Sequence, residues 1–211
     1  SRIALAETSL DGTAFTFAPF GKLRLSMCGM YQLRNAANVL TAVELLRDKG
    51  YKIPDDAVRD GLASAKWKAR FEVLSRDPII VYDGAHNPQG IAASEANIRQ
   101  YLAPLTPDGK VHLLMGVLAD KDYRTMIAAL APYAKSVVTI TPPSPRALDA
   151  ADTAAIFREH GVSAAPAKSV DEGVTMAVDG AKQDHVPLFI LGSLYLYGAV
   201  KESLSAYRNE L

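Results

Sequence analysis

From Trp67 onward the chain repeats one pattern: a short, continuously apolar run, a polar or glycine-bearing loop, then about ten residues or more at helical spacing. The runs Phe71–Leu74, Ile79–Tyr82, Val111–Met115, Ser136–Thr141 and Leu188–Leu191 read as strands. Between and after them Gly90–Leu102, Tyr123–Leu130, Asp149–His160, Val170–Ala181 and Tyr195–Ser205 read as helices. Strands lacking polar alternation are buried on both faces, and helices joining them allow parallel pairing. The fold class expected for 67–211 is therefore α/β, a mostly parallel sheet flanked by helices.

Residues 1–66 follow a different rhythm. Ile3–Ala6 and Ala14–Phe17 are strand-like runs around a Leu10-Asp11-Gly12-Thr13 turn, and Leu23 to Met27 alternates like a half-buried strand. From Gln32 the apolar residues Leu33, Ala36, Ala37, Leu40, Val43 and Leu46 fall on one helical stripe that stops at Gly50. A second helix is expected from Pro54, with Asp55 and Asp56 favouring its positive end. Two or three strands and two helices bury little, so this α+β part reads as the tail of something larger.

Composition excludes several classes. Twenty-three basic residues balance 23 acidic ones, so no net field draws the chain to nucleic acid or anionic lipid. Cys28 is the one cysteine, which rules out an intrachain disulfide and a cysteine-rich zinc site and suits a reducing cytoplasm. No apolar run is long enough to cross a bilayer. The first residue is Ser, so the chain reads as a processed or excised piece.

In an open α/β sheet ligands bind beyond the carboxyl ends of the strands, which selects Asp83–Pro88, Gly116–Asp122, Thr141–Arg146 and Gly192–Ser193. In the first loop Asp83 can accept from ribose hydroxyls or hold a metal, and His86 offers a donor, an acceptor or a metal ligand. The plainer reading is a β-to-α turn in which Asp83 and Asn87 only cap backbone groups. In the second, Lys121 can bind a carboxylate while Asp120 and Asp122 hold it, or Asp122 is simply a helix cap. Arg146 can pair with an anion or with a neighbouring acid. Gly192-Ser193 brings a hydroxyl and N–H groups to a helix start, a place where anions bind. His112, His160 and His185 stand apart from any polar constellation and read as structural. No G-x-G-x-x-G follows a strand, and no phosphate loop, G-x-S-x-G or H-E-x-x-H occurs.

Six pieces in order resemble the folylpolyglutamate and dihydrofolate synthases of the ATP-dependent Mur ligase superfamily. They are Gly29-Met30-Tyr31-Gln32 with Asn35-Ala36, Trp67-Lys68-Ala69-Arg70-Phe71-Glu72, Asp83-Gly84-Ala85-His86-Asn87-Pro88, Gly116 to Asp122, Pro145-Arg146-Ala147-Leu148 and Gly192-Ser193-Leu194-Tyr195. The forms of the Asp83, Asp120 and Gly192 pieces favour the folate branch over the peptidoglycan branch, which shares the fold. A non-catalytic nucleotide- or anion-binding module is the further alternative.

The resemblance implies that 67–211 is the Rossmann-like C-terminal domain and 1–66 the end of a central ATP-binding domain. The phosphate loop and most Mg²⁺ ligands then belong to a preceding part that 67–211 contacts. The parent would be a monomeric ligase that activates a carboxylate of dihydropteroate or folate with ATP and joins it to glutamate. These 211 residues alone would be inactive. Position by position, Asn35, Arg70 and Asp83 would contact the nucleotide. His86 would face the reacting centre, and Lys121, Ser193 and Arg146 would hold the carboxylates of glutamate, with no metal ligand among them. Relatives usually carry Pro-Gly-Arg where this chain has Lys68-Ala69-Arg70, a change that shifts the backbone unless Ala69 takes a negative φ.

Overall fold

A computed structural model describes residues 2–209. The chain divides between Lys68 and Ala69 into two compact units.

In the first unit, strands β1 (Ile3–Ser9), β2 (Gly12–Phe17) and β3 (Gly21–Leu25) form an antiparallel sheet in the order β1-β2-β3. β3 alternates as its sequence requires, with Leu23 and Leu25 buried and Lys22 and Arg24 exposed. Helices α1 (Met30–Asp48) and α2 (Asp55–Ser64) complete the unit. Phe15, Phe17, Phe20, Leu23 and Leu25 close a core with Ala36 and Leu40 of α1 and Val58 and Leu62 of α2.

The second unit is a six-stranded sheet. Its strands are β4 (Glu72–Arg76), β5 (Ile79–Tyr82), β6 (Val111–Met115), β7 (Ala134–Thr139), β8 (Ala164–Pro166) and β9 (Leu188–Leu191), in the order β4-β5-β9-β6-β7-β8. Only β4 runs antiparallel, in a hairpin with β5; the other neighbours are parallel. Helices α3 (Pro88–Asn97), α4 (Tyr123–Leu130) and α5 (Ala150–Glu159) pack in succession, while α6 (Val170–Asp184) packs on α7 (Tyr197–Asn209). Ile80, Leu114, Val138, Leu188 and Ile190 meet Val174, Val178, Val200 and Leu204 of α6 and α7 in one core. Their strand neighbours Val81, Leu113, Val137 and Phe189 are equally buried. Covering on both faces explains why these strands contain no polar alternation.

Two differences from the sequence-based expectation have simple causes. β8 escapes notice because Ala164-Ala165-Pro166 has no β-branched residue, and its proline is tolerated only because the strand lies at the sheet edge. The helix expected over 90–102 instead begins at Pro88, where Asn87 caps it, and widens to a π-helical segment at Ile98–Leu102.

At the opposite pole from the loops selected above, His112 is 6% exposed. Its Nδ1 lies 2.8 Å from Ser136 Oγ and its Nε2 3.1 Å from Asp184 Oδ2. Burial lowers the pKa of His112 and outweighs the opposing pull of Asp184, while Lys135, 3.6 Å from Asp184, lowers it further. The unfolded chain therefore takes up this proton first. Stability against urea is expected to be whole above the ordinary value of 6.5 and to fall as pH drops below it. Replacement by glutamine should flatten that acid limb; an unchanged slope would show that His112 is protonated alike in both states.

Candidate functional site

The ends of β5, β9, β6 and β7 are neighbours in the sheet, so the four loops that follow them are neighbours too. Backbone bonds extend the ladder past the strands. Gly192 N–H donates to Ala85 O at 3.0 Å, Gly116 N–H to Leu191 O at 3.4 Å, and Ile140 N–H to Met115 O at 3.0 Å. Farther out, Leu148 N–H donates to Val117 O and Ala119 N–H to Arg146 O. The loops thus sit on a fixed rim, the kind of support a binding constellation needs.

Asp83 is 4% exposed, and its Oδ1 accepts the Ala85 N–H at 3.1 Å. Asn87 Oδ1 accepts the Gly90 N–H at 2.7 Å and caps α3. Both local caps of the plainer reading are therefore present, and they hold His86 between them. The Nδ1 of His86 lies 2.9 Å from the Gly84 carbonyl. A carbonyl only accepts, so Nδ1 carries the proton in the neutral ring and Nε2 is left as the acceptor.

Of the two readings open for this loop the plainer one holds, and the acids beside Lys121 do not hold it. Asp120 pairs with Arg146 at 2.9 Å, and Asp122 Oδ1 accepts the Thr125 N–H at 3.3 Å as the cap of α4. Lys121 is fixed through its backbone, whose N–H donates to Leu118 O, and no carboxylate among the described residues pairs with its ammonium. Arg146 takes the neighbouring acid of the two partners open to it, tying the β7 loop to the β6 loop. Ser193 is 1% exposed; its Oγ accepts the Tyr195 N–H at 3.2 Å, and its carbonyl accepts the Tyr82 hydroxyl at 2.6 Å.

Arg70 stands on an unusual turn. Ala69 and Phe71 have φ of +57° and +46°, so the chain makes the left-handed excursion that a glycine would make without penalty. Each such residue costs on the order of 1–3 kcal/mol and persists only where its surroundings dictate it. Ala69 O accepts the Gly84 N–H at 2.8 Å, and Phe71 lies between the rings of Tyr101 and Phe189. Arg70 itself is half-buried, with no acid pairing it among the described residues.

Asn35 belongs to the other unit. It lies exposed on α1, its Nδ2 donating to Oε1 of buried Gln32 at 2.9 Å. The structure thus gathers Arg70, Asp83, His86, Lys121, Arg146 and Ser193 on one unit and leaves Asn35 on the other. Sequence reasoning assigned no role to Glu72 and Tyr197. Tyr197 donates to Glu72 across 125 residues, a separation with no local signal. Among the described residues no three His, Cys, Asp or Glu side chains converge on a metal-sized space.

Residues 69–194 match the family of the Mur ligase, glutamate ligase domain. Folylpolyglutamate synthase of Lacticaseibacillus casei is 33% identical over 86% of the chain and 40% of its own length. The solved folylpolyglutamate synthase of Mycobacterium tuberculosis, complexed with ADP and AMPPCP, superposes with a TM-score of 0.79. It is 28% identical over 96% of this chain and 48% of its own. Escherichia coli FolC in complex with DHPP and ADP superposes with a TM-score of 0.73 at 27% identity, covering 98% of this chain and 46% of its own. The chain spans about two fifths of the length of that Lacticaseibacillus casei relative.

Proposed function

The chain belongs to the Mur ligase family, whose glutamate ligase domain spans residues 69–194, and on that premise we propose that the intact protein joins glutamate to dihydropteroate or folate at the expense of ATP. The observation that carries this reading is the sheet rim. One rigid edge presents two cations without an internal acid, Arg70 and Lys121, beside a carboxylate and an imidazole with a defined tautomer. Such a set suits two anionic partners, a nucleotide and an amino acid with two carboxylates. The relatives described above are named for folates, which supports that branch over the peptidoglycan one.

In this reading Arg70 contacts phosphate or ribose oxygens through its fork of donors, and Asp83 accepts from ribose hydroxyls. Lys121 takes a carboxylate of glutamate, with Arg146 and the turn capped by Ser193 bordering the same pocket. Transfer of the γ-phosphoryl of ATP to the folate carboxylate gives an acyl phosphate and ADP. The glutamate amine attacks the acyl carbon, forming the amide and expelling inorganic phosphate as the amine gives up a proton. Nε2 of His86 is the acceptor on the rim able to hold a proton of that amine. Fixing both partners at one rim supplies orientation, and burying them keeps water from the acyl phosphate.

Residues 1–66 are assigned, within the same proposal, to the end of the central ATP-binding domain, with Asn35 on the adenine side. No three His, Cys, Asp or Glu side chains among the described residues could cage Mg²⁺, whose ligands this proposal assigns mainly to the preceding part. No helix among them is long and apolar enough to cross a membrane, and a single cysteine, Cys28, which cannot form an intrachain disulfide, suits the cytoplasm.

The test is phosphate release by the intact protein with ATP, glutamate and either dihydropteroate or a reduced folate, beside a UDP-muramyl acceptor. Release that requires both glutamate and a pteridine substrate is expected. Turnover with the UDP-muramyl acceptor alone would move the protein to the peptidoglycan branch, and no turnover with any acceptor would favour a binding module.

A further inference from the structure

We propose that Glu72 and Tyr197 form a positioning pair that clamps the 69–71 turn and thereby aims Arg70. The proposal rests on the reading of Arg70 as a nucleotide contact. The turn contains two left-handed non-glycine residues in three positions, so it needs fasteners to stay there. Three fasteners surround Arg70. The Phe71 ring is packed 5.2 Å from Tyr101 and 5.8 Å from Phe189, measured between centroids. The Ala69 carbonyl is held by the Gly84 N–H. The Ala69 N–H donates to Glu72 Oε2 at 2.7 Å, and the Tyr197 hydroxyl donates to the same carboxylate at 2.8 and 3.1 Å.

That third fastener has a second consequence. Glu72 is the acid nearest Arg70 in sequence, and an unengaged carboxylate there would compete with a nucleotide for the guanidinium. Engagement by the Ala69 N–H and the Tyr197 phenol keeps it turned to the turn's backbone. Tyr197 is itself well placed: its ring meets Tyr82 edge-on at 5.2 Å, and Lys201 lies over it at 5.5 Å. Burial and the Glu72 carboxylate raise its pKa to about 12, as expected for a phenol whose proton is shared with a carboxylate. Because α7 supplies Tyr197 and β4 supplies Glu72, the pair couples the last helix to the turn before the first strand of the unit.

Tyr197→Phe removes the hydroxyl and keeps the ring packing, so the unit should stay folded. In the intact protein this variant is expected to raise KM for ATP about tenfold, as for the loss of one charge-assisted bond, with KM for glutamate unchanged. In an Arg70→Ala background the same substitution should have no further effect on KM for ATP. A second readout needs no activity: the side-chain Nε–H of Arg70, assigned by its disappearance in Arg70→Lys, should give an NMR signal of a rigid group in the wild type and of a mobile one in Tyr197→Phe. An Arg70 signal unchanged by Tyr197→Phe, or effects of the two substitutions that multiply independently, would overturn the clamp. An Arg70→Ala variant with wild-type KM for ATP would instead overturn the nucleotide reading of Arg70.

Discussion

Gly192→Ala is expected to lower the stability of the second unit by about 3 kcal/mol or more, read from urea unfolding, and to abolish the proposed ligation with it. Gly192 has φ of +109°, and a Cβ there would sit 2.5 Å from the Gly116 carbonyl oxygen and 3.2 Å from Met115 Cγ. The first contact is with backbone, so no side-chain rotation relieves it. Forcing an L-residue into that conformation costs about 1–3 kcal/mol. Pushing the β9 and β6 loops apart strains the Gly116–Leu191 and Gly192–Ala85 bonds as well, each worth about 1 kcal/mol. Domains are stable by only about 5–15 kcal/mol, so the loss is a large share. Gly198 is the control: it lies in α7 with nothing within 4 Å of a built Cβ. Gly198→Ala should therefore be neutral or stabilising by up to about 1 kcal/mol. A Gly192→Ala protein as stable as that control would mean that the strand ends splay freely, and the rigid rim would have to be abandoned.

How far the sequence could be read follows the range of the interactions. Ile79–Tyr82, Val111–Met115 and Leu188–Leu191 are legible to the residue because burial on both faces leaves an unbroken apolar run. Caps are legible because they reach two or three residues: Asn87 to Gly90, Asp122 to Thr125. The rim loops are legible because strand direction fixes which ends hold them. Partnerships across the chain are not. Nothing near Lys121 says that Asp120 turns to Arg146, 26 residues on, nor near Arg70 that Tyr197 closes its turn. The left-handed φ at Ala69 runs against local preference, and the contacts of its neighbours enforce it. Residue types were therefore readable at the rim, whereas which cations remained without an acid was not.

That last distinction decides the second large effect. In the proposed ligation, Lys121→Met is expected to lower kcat/KM for glutamate by about 100-fold, with KM for ATP near the wild-type value and stability within about 0.5 kcal/mol. Loss of a charged hydrogen-bond donor to a carboxylate is worth about 2–3 kcal/mol, which converts to about 30- to 150-fold. The fold should barely respond, because the Lys121 N–H to Leu118 O bond is backbone and survives, and no acid among the described residues is left unpaired by the change. Arg146→Ala should behave differently. Its guanidinium is already spent on Asp120 at an exposed site, so truncation removes a surface pair worth under about 1 kcal/mol and weakens glutamate use only modestly. These two cations of the rim are thereby ranked by whether the protein has already neutralised them. An Arg146→Ala defect larger than that of Lys121→Met would reverse the ranking and move the glutamate carboxylate to the β7 loop. A rise in KM for ATP in Lys121→Met would instead transfer Lys121 to the nucleotide, leaving the amino acid to the turn at Ser193.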